Sequence, residues 1–149
     1  MEYEGLIDPK ILQRLQDYFC QANGIYLACV GRQMGVLTKA YGSRAEREFV
    51  HSMVDKDTYM SLLKKLQNSS VENVIEEPVD FNFIRMAGIT TRLEDGSQLS
   101  WVAIGVIKEN IPEGFELPEG IMSTSEDKFY HAIEFLEVVT TNFIQAKVE

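Results

Sequence analysis

The residues of this chain with the reach to do chemistry are few and scattered: Cys20, Cys29, His51, His131, and Arg85 inside the apolar run FNFIRMAGI. A zinc site needs donors at characteristic spacings, whereas these two cysteines and two histidines match no such pattern and stand among apolar neighbours. A nucleophilic triad needs a serine or cysteine at a recognisable spacing from a histidine, and His51 has none. The sequence contains no Gly-rich phosphate loop ending in GKS or GKT, no HExxH, no GxSxG and no CxxC. The expectation is a chain that is not an enzyme and uses no metal and no cofactor.

Arg85 is more informative, because a guanidinium inside a strand needs an anion; left unpaired and buried it is costly. Two readings stay open: it pairs with a nearby glutamate or reaches solvent at a strand end, or it anchors a ligand. Trp101 and Tyr26 pose the same alternative, since large aromatics on strands either fill a core or line a cavity. If the helical stretch after Ser43 covers one face of the sheet, Phe49, His51 and Tyr59 should face Cys29 and Tyr41, with Arg85 and Trp101 completing the wall. Such a wall is mostly apolar with a few orienting polar groups, the usual make-up of a small-molecule site, and the Arg85 fork would suit a carboxylate or phosphate. Ala103 and Gly105 would leave the room for that ligand. In a packed module without a pocket, large neighbours should fill it instead.

These residues must be held by a long hairpin from Phe81 to Lys108, turning at Asp95-Gly96, a dipeptide that favours a tight two-residue turn. Its second run, QLSWVAIGVIK, carries no polar alternation, so both of its faces must be covered. Asp8-Pro9 starts a first helix that stops near Asn23-Gly24, and Ile25–Val30 with Val36–Tyr41 reads as another hairpin. Between Ser43 and Leu66 two short helices break at Asp55, and Val71–Glu77 reads as an edge strand stopped by Pro78. Ser123-Thr-Ser-Glu126 forms a capping box for a last helix, whose residues Phe129, Ile133, Leu136, Thr140 and Phe143 recur at nearly heptad spacing. From Ser125 to Lys147 that helix would be roughly 33 Å long, more than one sheet needs. Phe129, Ile133, Leu136 and Phe143 are therefore candidates for a dimer interface, the alternative being that the helix docks wholly on its own sheet. The predicted fold is α+β: a five-stranded antiparallel sheet, terminal helices on one face, the helical insert on the other. Residues 1–122 would form the core and 123–149 a C-terminal signalling helix of the same domain.

A length of 149 residues supports one hydrophobic core. The net charge of −9 opposes nucleic acid or an anionic membrane as a direct partner. No apolar run approaches the ~20 residues of a membrane helix, and MEYEGLIDPK lacks the basic and apolar regions of a signal peptide, so a cytoplasmic chain with reduced thiols is expected.

The order of elements looks like that of PAS, GAF and profilin-like domains. Within that group, Ile7-Asp8, Leu12-Gln13, Leu15-Gln16-Asp17, Phe19, Ala22 and Gly24-Ile25 resemble the start of PocR-type sensor domains. Gly88-Ile89, Asp95-Gly96 and Ile104-Gly105 resemble that family's second half. Where PocR-type domains carry a cysteine after the second strand and a Cys-His pair before the fourth, this chain has Ser43-Arg44 and Asp80-Phe81, so chemistry tied to those cysteines does not carry over. The resemblance implies a small-molecule sensing module at the N-terminus of a bacterial signalling protein; with the homodimer expected from the last helix, ligand binding would pass through the terminal helices to an output domain or protein. The second reading is a profilin-like interaction module of the roadblock type, which has no pocket and recruits a partner.

Overall fold

Asp8 caps the first helix, α1 (Pro9–Asn23), accepting a hydrogen bond from the Lys10 amide at 2.9 Å. Gly24 closes it in the left-handed region, φ 68°, with its amide donating to the Cys20 carbonyl. There follow β1 (Tyr26–Gly31), α2 (Arg44–Met53), α3 (Lys56–Asn68), β2 (Val74–Glu77), β3 (Ile84–Arg92), β4 (Gln98–Val106) and α4 (Glu126–Val139), the last running into a π turn over Thr140–Ile144. The computed structural model describes residues 8–31, 35–68, 74–77, 79–92 and 98–144, and for 74–77, Arg92, Phe143 and Ile144 the backbone alone. The Asp95-Gly96 turn, residues 71–73 and Pro78 lie outside the described residues.

The sheet is antiparallel throughout in the order β1-β4-β3-β2, with Leu27, Ala103 and Ala87 in one row. All nine residues of β4 are buried, which is why its sequence lacks alternation. Leu99, Trp101, Ala103 and Ile107 pack with α1 and α4. Val102, Ile104 and Val106, on the other side, pack with Val50 of α2 and Leu62, Leu63 and Leu66 of α3. The sheet therefore separates two cores, and the parity of a residue along β1, β3 or β4 decides which one it joins.

The α+β class fits, but the described sheet has four strands where five were expected. The missing one is Val36–Tyr41, of which Val36 alone makes a bridge, to Val30. The reason lies in α1. Segment 37–41 does run beside β1, with the Leu37 and Thr38 amides on the Cys29 carbonyl and the Tyr41 amide on Leu27. Between these bonds, however, side chains take what a ladder would use. The Cys29 amide donates to Thr38 Oγ1, the Lys39 amide to Gln13 Oε1, and the Lys39 carbonyl accepts from Gln16 Nε2 at 2.6 Å. Gln16, buried, and Gln13, half-buried, thus bind this stretch from α1 as an irregular segment.

At the other end, α4 starts two residues later than its capping box implied. Thr124 is still extended, bridging Ile107, with its amide on the Val106 carbonyl and its own carbonyl receiving Lys108. Ser125 is consequently the cap, accepting from the Lys128 amide at 3.1 Å.

Candidate functional site

Tyr26 organises the insert side of the sheet. It stands on β1 pointing toward α2, only 5 % exposed, and its hydroxyl donates to Glu46 Oε2 at 2.6 Å while accepting from the Met122 amide at 2.9 Å. Glu46 is itself fixed, because it closes a capping box with Ser43 at the start of α2. Gly42 allows this approach: at φ 112° it lies where side chains are strained, and an added Cβ would sit 3.2 Å from Glu46 Cβ and 3.4 Å from the Tyr26 ring. Burial pushes the Tyr26 phenol well above its ordinary value, reinforced by its bond to Glu46. Burial also pushes Glu46 upward, but the bonds from Tyr26 and Ser43 outweigh it and hold the carboxyl below its ordinary value.

Beside Tyr26 opens a cleft of about 60 Å³, partly open to solvent. Its floor is β1 and β4, through Ala28, Val102 and Ile104. One wall is α2, presenting Arg47, Val50 and His51; Tyr59 of α3 and Ala40 with Tyr41 complete it. Asp55 sets the α2–α3 corner that brings Tyr59 there, its carboxylate accepting from both the Thr58 amide and hydroxyl at 2.8 Å. Tyr26 and Tyr41 are tilted at 6.3 Å between ring centroids, and His51 meets Tyr59 edge-on at 6.2 Å.

Three of the expected site residues, Tyr41, His51 and Tyr59, therefore share this cleft. Three do not. Cys29 and Trp101 are cross-strand partners on the opposite side of the sheet, both fully buried in the core formed with α1 and α4. The Trp101 indole donates to Thr140 Oγ1 at 2.9 Å, and Thr140 passes its own proton to the Leu136 carbonyl. Arg85 also has the parity of that side. Its fork reaches Glu126 Oε2 at 2.9 Å and the carbonyls of Asn82 and Ile84, so the expected ligand anchor is an ion pair holding the first turn of α4 to the sheet. Nor is there room behind Gly105, where a Cβ would come within 2.5 Å of the Phe129 ring. Phe129, Ile133 and Leu136, expected at a dimer interface, are 0–2 % exposed in the chain's own core, and the Phe143 side chain lies outside the described residues. The exposed apolar residues of α4 are Phe135 and Val138.

Sequence reasoning missed the small and apolar residues of the cleft floor and one charged residue, Arg47. It lies three and four positions before Val50 and His51, hence on the same helical face, and that spacing was the available signal. Its guanidinium donates to the Gly42 carbonyl at 3.0 Å, and among the described residues no carboxylate pairs with it.

The thiols are poor nucleophiles: burial pushes Cys20 up to about 12 and Cys29 well above its ordinary value. Among the described residues no group of three or more His, Cys, Asp or Glu side chains is arranged to hold a metal ion, and no helix is long and apolar enough to cross a membrane. What the cleft offers is a mostly apolar lining with Tyr41, Tyr59, His51 and Arg47 among its residues, an arrangement suited to holding a small molecule. No protein-family model matches the chain, and neither the curated proteins nor the solved structures include a match, so the PocR-type resemblance rests on the residues quoted for it.

Proposed function

We propose that this chain is a non-enzymatic sensing domain of a bacterial signal-transduction or regulatory protein, cytoplasmic, in which a small molecule occupies the cleft between α2–α3 and the β1–β4 floor. The observation that carries the reading is Tyr26. A single side chain lining the cleft grips both the first turn of α2 through Glu46 and the segment leading into α4 through Met122. A ligand that moves Tyr26 changes both grips at once, and differential affinity for the two arrangements is all that a sensor requires. The output would leave through α4, whose start is fastened to the sheet by the Thr124 bridge and by Arg85. The acidic balance supports partners other than nucleic acid.

One observation favours the second reading, an interaction module without a pocket: the centre of the sheet is filled on both sides. A Cβ at Gly105 would meet Phe129, and one at Gly88 would sit 2.7 Å from Leu66 Cδ1. The two readings part at Ala28, which lines the cleft floor. Ala28→Leu should fill it. Thermal denaturation against a metabolite panel is then expected to show stabilisation of the native protein by one or more compounds and none of the variant, with the variant's own melting temperature little changed. A panel that stabilises neither protein supports the interaction module.

A further inference from the structure

Resting on that reading of the cleft, we infer that its ligand is a short-chain monocarboxylate, with the carboxylate on Arg47 and the hydrocarbon tail on the β1–β4 floor. The guanidinium has five donor positions, and one described acceptor, the Gly42 carbonyl, uses one of them. It lines the cleft half-buried, where a charge-assisted bond is stronger than in bulk water. Tyr59 also lines the cleft, and its hydroxyl has no hydrogen-bond partner among the described residues. Among the described residues no acidic side chain lines the cleft; the carboxylate of α2's first turn, Glu46, is already committed to Tyr26 and Ser43. A site with one fixed positive charge and no described carboxylate selects a ligand of negative charge.

The rest of the wall sets the other half of the molecule. Ala28, Val50, Val102 and Ile104 offer nothing to a polar group, so polar partners are confined to the side of Arg47, His51, Tyr41 and Tyr59, which disfavours phosphate, whose charge covers its whole surface. A volume of about 60 Å³ holds roughly four to six water-sized bodies, too little for a nucleotide or a sugar and enough for a carboxylate with a few carbons.

The test is a titration of the protein with sodium butyrate, with butyramide as the neutral isostere and inorganic phosphate as the anion without a tail, followed by amide chemical shifts. Butyrate is expected to shift Ala28, Ala40 and Arg47 saturably, with butyramide weaker by about tenfold or more and phosphate without a saturable effect. Arg47→Met should reduce butyrate to the butyramide level, and Arg47→Lys, which keeps the charge and guards against loss of the Gly42 contact, should retain part of the difference. Equal binding of butyrate and butyramide, or butyrate binding unchanged in Arg47→Met, would overturn the carboxylate assignment while leaving the cleft reading standing. Saturable phosphate binding would replace the carboxylate with a tail-less anion. Failure of all three compounds to shift those amides overturns the assignment as well, and the Ala28→Leu comparison decides the cleft separately.

Discussion

Gly105→Ala tests where the open space in this molecule is. The added methyl carbon would lie 2.5 Å from Phe129 Cδ1 and 2.8 Å from Cε1, against the 3.5–4.0 Å that carbon atoms prefer, so the ring must withdraw by about 1 Å. Phe129 has nowhere to withdraw: it is fully buried and stands edge-on to Tyr130 at 5.4 Å. Overpacking of this kind costs about 1 to 3 kcal/mol. Gly105 is not in the left-handed region, so alanine restores roughly 0.4 to 1 kcal/mol by restricting the unfolded chain, leaving a net loss between about 0 and 2.6 kcal/mol, centred near 1.3. For 149 residues the unfolding entropy makes each kcal/mol worth about 3 °C, and the melting temperature should fall by about 4 °C, and by no more than about 8 °C. The assay is calorimetry on a double-mutant cycle. Phe129→Leu alone destabilises by leaving a void, and in its background Gly105→Ala should cost markedly less, a coupling of about 1 kcal/mol. A neutral Gly105→Ala with additive behaviour would mean that the α4 side is open, and the cleft would no longer be the favoured site.

Other outcomes follow from single contacts. Tyr26→Phe leaves the buried-side Met122 amide without its acceptor and should cost about 1 to 3 kcal/mol in urea denaturation, with ligand response also lost. Glu46, held below its ordinary 4.5 in the fold, contributes stability that is fully present above the unfolded value and lost as pH falls through the lower folded one; the stability gap between the native protein and Glu46→Gln should therefore be wide at pH 7 and narrow toward pH 3. Both cysteines should resist thiol reagents at pH 8 in the folded protein and react on unfolding, because burial holds them protonated. Arg85→Met should cost about 1 kcal/mol or less, its ion pair being part-exposed, and leave ligand binding untouched; a lost ligand response there would return Arg85 to the site.

What could be read from the sequence was whatever local chemistry dictates. Asp8-Pro9, Asn23-Gly24 and Asp55 mark helix ends because caps act on their own neighbours, and the apolar run Trp101–Val106 of β4 shows that both its faces are covered. That same run concealed parity. With no polar face to orient the strand, nothing local said that Trp101 and Cys29 look toward α1 and α4 while Val102 and Ala28 look toward the insert. The stripe through Phe129, Ile133 and Leu136 is equally right for a partner helix and for a sheet, and Gly105, whose missing side chain the Phe129 ring occupies, settled it. Arg85 meets Glu126 across 41 positions of sequence, and Gln16 replaces a strand's hydrogen bond 23 residues away, distances over which spacing carries no information.

Native mass spectrometry of the protein after exposure to a bacterial cell extract, run beside Ala28→Leu, addresses the central claim most directly. The cleft reading predicts a small-molecule adduct on the native protein that is absent from the variant. Bare masses for both proteins, or an adduct that survives Ala28→Leu, would contradict it.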